Sequence, residues 1–161
     1  MGTIHPSRVL FIRGGESMKY LHRTTKGVRI VGDRVMMHDG SLVRLIDAWC
    51  VNNGATMQGR LDAAKRLLNR QRGVPVYVCP DVVLIPSTAL RDYDVVVLNA
   101  MRIIAIGSRN DHAVIRFADL TEVVVPATPG KLRARWRAAR DLNERIDRSN
   151  GRQESVYKYV F

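Results

Sequence analysis

Acidic residues are scarce in this 161-residue chain: 15 Asp and Glu stand against 26 Lys and Arg, a net charge of +11. Lysine is scarcer still. It supplies five of the basic residues (19, 26, 65, 131 and 158), and arginine the other 21. Codon bias can trade Lys for Arg, but it does not explain the excess of both over carboxylates. The imbalance points to a polyanionic partner, most simply nucleic acid. Arg suits phosphate forks and narrow minor grooves better than Lys does.

Other absences remove whole classes. There are two cysteines, Cys50 and Cys79, and neither belongs to a CxxC pair, so two buried thiols are expected and no disulfide framework. The four histidines, His5, His22, His38 and His112, have no ligand spacing, and no metal or other cofactor is expected. No Ser or Cys motif marks a nucleophile, and Asp111-His112 is taken as a turn. The apolar runs, such as Val95-Val-Val-Leu98, are far too short for a bilayer. The opening MGTIHPSRVLFIRGG has no long apolar region or small-residue cleavage site, and Pro6 stands where myristoylation needs Ser or Thr. A soluble intracellular protein is expected, with no membrane partner.

What is present reads mostly as short strands. Val9-Leu-Phe-Ile12, Val28-Arg-Ile-Val31, Val35-Met-Met-His38, and the stretches 42–51, 74–79, 82–86, 95–98, 103–106, 113–117 and 123–125 are bounded by Gly, Asn, Asp or Pro. Asp39-Gly40 is read as a hairpin turn into 42–51, and Pro80-Asp81 as a second tight turn. The pattern predicts a single domain of α+β class, a mostly antiparallel sheet or partly open barrel with two main amphipathic helices. The first helix covers about 56–72, with Met57, Leu61, Ala64 and Leu68 as its stripe, Thr56 as N-cap and Gly73 as stop. The second covers about 130–148, with Leu132, Trp136, Ala139, Leu142 and Ile146 inward and Ser149-Asn150-Gly151 ending it. The tail 149–161 alternates, with Tyr157, Tyr159 and Phe161 on one side, and reads as a final strand or a loose end. No helix-turn-helix is legible, because strands separate the two predicted helices.

Gly54 to Leu61 reads G-x-x-x-x-G-R-L, close to the phosphate loop G-x-x-x-x-G-K-[ST]. The Lys is missing, Leu61 stands where magnesium needs a hydroxyl, and the apolar stripe begins before Gly59. A nucleotide-binding enzyme using Gly54 to Arg60, with Asp47 and Asp62 as its carboxylates, is the weakest of the candidate functions. Gly59 falls on the outward basic face, where a backbone or phosphate could approach the free N–H groups of the first turn. Arg60 falls against the core, and a structural clamp is favoured over DNA contact. The outward faces carry Lys65, Arg66 and Arg70 on the first helix, and Lys131, Arg133, Arg137 and Arg140 on the second. These residues, with Gly59, are the candidate DNA contacts; Gly54, Thr56 and Arg60 are the candidate structural motif. Trp136 is assigned to the core and not to base stacking. An RNA-binding accessory protein ranks second, since it would call for exposed aromatics and only 6% of residues are aromatic.

The order of features over 44–148 resembles the competence transcription factor family, the ComK-like proteins. The pieces are a strand ending near Cys50, the stretch Asn53-Gly54-Ala55-Thr56-Met57-Gln58-Gly59-Arg60, the segment VPVYVCPDVVLIPST, and an Arg-rich helix closing on Arg145-Ile146. Thr56 and Ala55 depart from the family's Ser-Ser, Ile85-Pro86-Ser87-Thr88 from its Phe-Pro-Thr, and Val95-Val-Val-Leu98 carries no Trp. The resemblance implies a cytoplasmic, non-enzymatic transcription activator that binds AT-rich double-stranded DNA and self-associates, with no small-molecule substrate.

Overall fold

The computed structural model describes residues 11–12 and 16–160, with side chains for 18–150. Strands β1 (Phe11–Ile12) and β2 (Glu16–Ser17) pair with each other; Val9 and Leu10 of the expected first strand lie outside the described residues. A six-stranded antiparallel sheet follows, made of β3 (Tyr20–Thr24), β4 (Gly27–Val31), β5 (Val35–His38), β6 (Val76–Cys79), β7 (Val82–Pro86) and β8 (Val96–Asn99), in the spatial order β5-β4-β3-β8-β7-β6. Strands β9 (Ile103–Arg109), β10 (His112–Phe117) and β11 (Glu122–Val125) form a three-stranded antiparallel sheet. Three helices complete the fold: α1 (Leu42–Asn52), α2 (Met57–Leu68) and α3 (Pro129–Val160). The class is α+β as expected, and the six-stranded sheet does not close into a barrel. Among the described residues, no helix is long and apolar enough to cross a membrane.

Strand alternation sorts the core into two layers. Val76, Val78, Val82, Leu84, Val95 and Val97 point to one face of the six-stranded sheet and pack against Leu42, Leu45, Ile46, Trp49 and Cys50 of α1. Their neighbours Tyr77, Val83, Ile85, Val96 and Leu98 point to the other face, against Leu132, Ala139 and Leu142 of α3 and the inner side of β9 and β10. β6, β7 and β8 are apolar at every position but Asn99 because both of their faces are covered. Leu61 of α2 packs against both clusters. It can do so because α2 lies along β6, the edge strand. Covering that edge also removes an unpaired ladder from solvent.

Of the three buried polar residues among those described, Lys19, Ser87 and Asn99, two tie distant segments together. Asn99 is fully buried; its Nδ2 donates to the carbonyls of Met18 (2.8 Å) and Asp81 (3.0 Å), and its Oδ1 accepts from the N–H of Val83 (3.3 Å) and Met101 (3.2 Å). Lys19, just before β3, donates from Nζ to Asp119 Oδ2 and Thr121 Oγ1, both at 2.9 Å, and so ties the large sheet to the β10–β11 turn. Burial pushes the Asp119 carboxyl up, but the Thr121 and Lys19 donors outweigh it and hold it down at about 2.

Four local expectations are corrected. Helix α2 ends at Leu68 and not at 72, because Asn69 takes a left-handed conformation (φ 51°) and caps it, so Gly73 is not its stop. Residues 42–51 are helix and not strand, so Cys50 lies in a helix and Asp39-Gly40 leads to a cap instead of a hairpin turn. Leu42, Leu45, Ile46, Trp49 and Cys50 recur at helical spacing, and the Ser41 hydroxyl accepts from the Arg44 N–H (3.4 Å). The second predicted helix does not stop at 148; α3 runs through Ser149-Asn150-Gly151. Gly costs a helix only about 1 kcal/mol relative to Ala, and Ser and Asn less. Good helix formers follow at Arg152, Gln153 and Glu154, so the ladder continues. The tail is consequently helical to Val160 and not a final strand; the side chains of Tyr157 and Tyr159, and all of Phe161, lie outside the described residues.

Candidate nucleic-acid interface

The glycine-rich stretch is a corner between two helices. At the end of α1 the Gly54 N–H bonds the Val51 carbonyl (3.1 Å) and the Ala55 N–H bonds the Cys50 carbonyl (3.2 Å). This paired pattern closes a helix on a left-handed residue, and Gly54 supplies it with φ +101°. Residues 53–56 then lead into α2, so α1 and α2 have helix-turn-helix connectivity. That connection is invisible while 42–51 is read as a strand.

Two N–H groups in the first turn of α2 are already bonded from within. The Thr56 hydroxyl accepts from the Gly59 N–H (3.0 Å), and Asp47 Oδ1 of α1 accepts from the Met57 N–H (2.8 Å). A Cβ on Gly59 would stand 3.2 Å from the Thr56 hydroxyl, so the missing side chain makes room for the cap. The expectation that a phosphate reaches free N–H groups here is therefore corrected: a carboxylate of the chain already occupies the positive end of α2. Asp47, considered above as an enzyme carboxylate, serves as that cap.

Arg60 is held in the same corner. Its Nη2 donates to the Asn53 carbonyl (2.7 Å) and its guanidinium lies 5.2 Å from the centre of the Tyr77 ring. It thus fastens the interhelical turn to the sheet edge. Arg60→Ala is expected to cost about 1–2 kcal/mol, the loss of one charged hydrogen bond and a cation–π contact. Urea unfolding would show it, while nucleic-acid affinity per folded molecule stays unchanged.

The remaining basic candidates fall into separate groups. On α2, Arg66 is exposed and Lys65 is half-buried; Arg70, half-buried, follows the helix. On α3, Lys131, Arg133, Arg137 and Arg140 are all exposed. Arg133 donates from Nε (3.1 Å) and Nη2 (2.8 Å) to the Ile106 carbonyl on β9, so its fork is partly engaged. The Arg140 guanidinium lies 5.3 Å from the centre of the Trp136 ring. Trp136 itself donates to the Ala100 carbonyl (3.2 Å), which keeps it on the core side. Arg133, Arg137 and Arg140 therefore form one row on the β9 flank of α3.

The other flank carries Lys131 and Arg135, one turn apart. Lys131 lines a cleft of about 330 Å³ together with Ser87, Thr88, Thr128, His112 and the carboxylate-bearing Asp111. Arg135 is half-buried, donates to the Pro86 carbonyl at the end of β7, and faces Arg70 across Gly73. The sequence reading passed over Arg135 as a contact. Its place three residues after Leu132 and four before Ala139 puts it at the margin of the apolar stripe, which was the available signal.

Carboxylates are engaged elsewhere. Asp141 pairs with Arg145 (3.0 Å) and Glu144 with Arg148 (3.7 Å), while Glu122 pairs with Arg116 (2.9 Å) and Arg109 (3.7 Å). Among the described residues, none of Lys65, Arg66, Arg70, Lys131, Arg133, Arg135, Arg137 and Arg140 takes part in an ion pair. Burial pushes the Cys50 thiol up to about 11 and raises that of Cys79 as well, which disfavours thiolate chemistry at either. A scan against protein-family models, a search of curated proteins and a search of solved structures each return no match to this chain.

Proposed function

We propose that this protein is a non-enzymatic regulator that binds double-stranded DNA along α3 and the end of α2. The observation that carries this reading is the set of arginines there with no carboxylate partner, in a chain of net charge +11. Arginines free of internal neutralisation can replace the condensed counterions of a duplex. Those at exposed positions can also enter a narrow minor groove, from which a preference for AT-rich sequence is expected.

Duplex is favoured over single strands by the placement of the aromatics. Trp49, Tyr77 and Phe117 are buried, Tyr20 stacks on Phe117, and Trp136 is anchored to Ala100; among the described residues only Tyr93 is exposed, at 71%. Unpaired bases thus find few stacking platforms. A nucleotide-binding enzyme is disfavoured because Asp47 caps α2. A competence-type role and self-association rest on the family resemblance alone, and the first piece of that resemblance, a strand ending near Cys50, is α1.

Equilibrium binding to AT-rich duplex, GC-rich duplex and single-stranded RNA over a salt series tests the proposal. The expected result is tightest binding to the AT-rich duplex with a log–log salt slope of several units, each neutralised phosphate contributing about 0.9. Arg137→Gln with Arg140→Gln should lower that slope by about 2 without moving the thermal midpoint appreciably. No binding to duplex in dilute buffer would overturn the proposal, and preference for single-stranded RNA would transfer it to the RNA reading.

A further inference from the structure

Arg70 and Arg135 come from different elements and converge on one point. The position where a Cβ of Gly73 would stand is 3.6 Å from Arg135 Nε and 3.6 Å from Arg70 Nη2. Gly73 has φ +63°, a conformation in which a side chain is strained, so this point remains open. Both side chains are guanidinium cations and repel each other. Neither forms an ion pair among the described residues. Arg135 is also half-buried, so water screens the repulsion incompletely.

Two like charges held close at a partly buried point call for an anion between them. Donors remain to receive it. Arg135 is oriented by its bond to the Pro86 carbonyl, which engages one of its five N–H groups. Arg70 has no hydrogen bond or ion pair among those described for its side chain, and its fork is available. A tetrahedral oxyanion matches two guanidinium forks better than a halide does, because each fork can reach separate oxygens.

We propose that Arg70 and Arg135, meeting over Gly73, form a binding site for one phosphate group. For its ligand, a phosphodiester of the duplex backbone, this inference rests on the DNA-binding reading. Free inorganic phosphate carries the same chemistry, and the test separates the two.

Two measurements are made on the full chain. In the first, the Arg135 Nε–H and Gly73 N–H resonances are followed by NMR during titration with inorganic phosphate and, separately, with sodium chloride at equal ionic strength. Saturable shifts with phosphate alone are expected, weakened at least fivefold in Arg70→Gln. Arg70 anchors no other element, so this variant should retain its thermal midpoint; Arg135→Lys, which keeps the charge and loses the fork, is the second variant. In the second measurement, duplex affinity is taken over a salt series. Arg70→Gln should lower the log–log slope by about 0.9. Phosphate shifts without duplex binding would support the site with free phosphate as its ligand, and would overturn the DNA-binding reading. Duplex binding with an unchanged slope in Arg70→Gln and no phosphate shift would overturn the site and leave the DNA-binding reading standing.

Discussion

Asn99→Leu is expected to destabilise the protein by about 4 kcal/mol, or more if nothing relaxes. Leucine keeps asparagine's branched skeleton without its polar atoms, and because it is bulkier some overpacking adds to the loss of polarity. It would leave four backbone groups without their side-chain partner: the carbonyls of Met18 and Asp81 and the N–H groups of Val83 and Met101. Each buried polar group left unsatisfied costs about 1–3 kcal/mol. Those groups belong to the approach to β3, the β6–β7 turn, β7 and the short helical turn after β8, so one side chain holds four segments in register. Asn99→Asp should also be severe, because a carboxylate oxygen would then face two carbonyls with no proton to offer. Guanidinium unfolding provides the number. A loss below about 1 kcal/mol would mean that these groups find other partners and that Asn99 is not their organiser.

Trp49→Ala is the second large effect, at about 3–5 kcal/mol. Trp49 is fully buried and heads the largest buried side chains, between α1 and the strands that carry Val76, Val78 and Leu84. Removing it leaves a cavity that a covered sheet face cannot easily collapse into. Alanine is also the better helix former, by up to about 0.7 kcal/mol, so local propensity opposes the loss. A large net destabilisation in urea would therefore report packing of α1 on the sheet. A change near zero would mean that α1 is not docked there.

What was legible in the sequence follows from period and punctuation. The strands at 76–79, 82–86 and 96–99 stand out because both of their faces are buried and every position but Asn99 is apolar. Helix α2 stood out because its stripe begins immediately after a residue able to cap it, Thr56. α1 was missed because Val43, Ile46, Trp49 and Val51 favour strands individually and Asp39-Gly40 imitates a hairpin turn. Its helical spacing and Ser41 cap carried the better signal, and tertiary packing realises it. The end of α3 was missed because Ser, Asn and Gly lower helix propensity without forbidding a helix, as an interior proline would. The site was legible only as a charge surplus. Which arginines turn inward to carbonyls (Arg60, Arg133 and Arg135) and which stay free depends on neighbours far along the chain, such as Ile106 and Pro86. The sequence alone does not supply those distances.

The six-stranded sheet acts as a partition through the middle of the molecule. Side chains on its two sides are kept apart by continuous hydrogen-bonded backbone, so a void opened beneath α1 cannot be filled from beneath α3. Volume changes on opposite sides should consequently be felt independently. The exception is at the rim, where Leu61 reaches around β6 and touches both compartments. Strain passing from one half of the interior to the other has its shortest route through that side chain, at the corner of the molecule that also carries the Arg60 clamp.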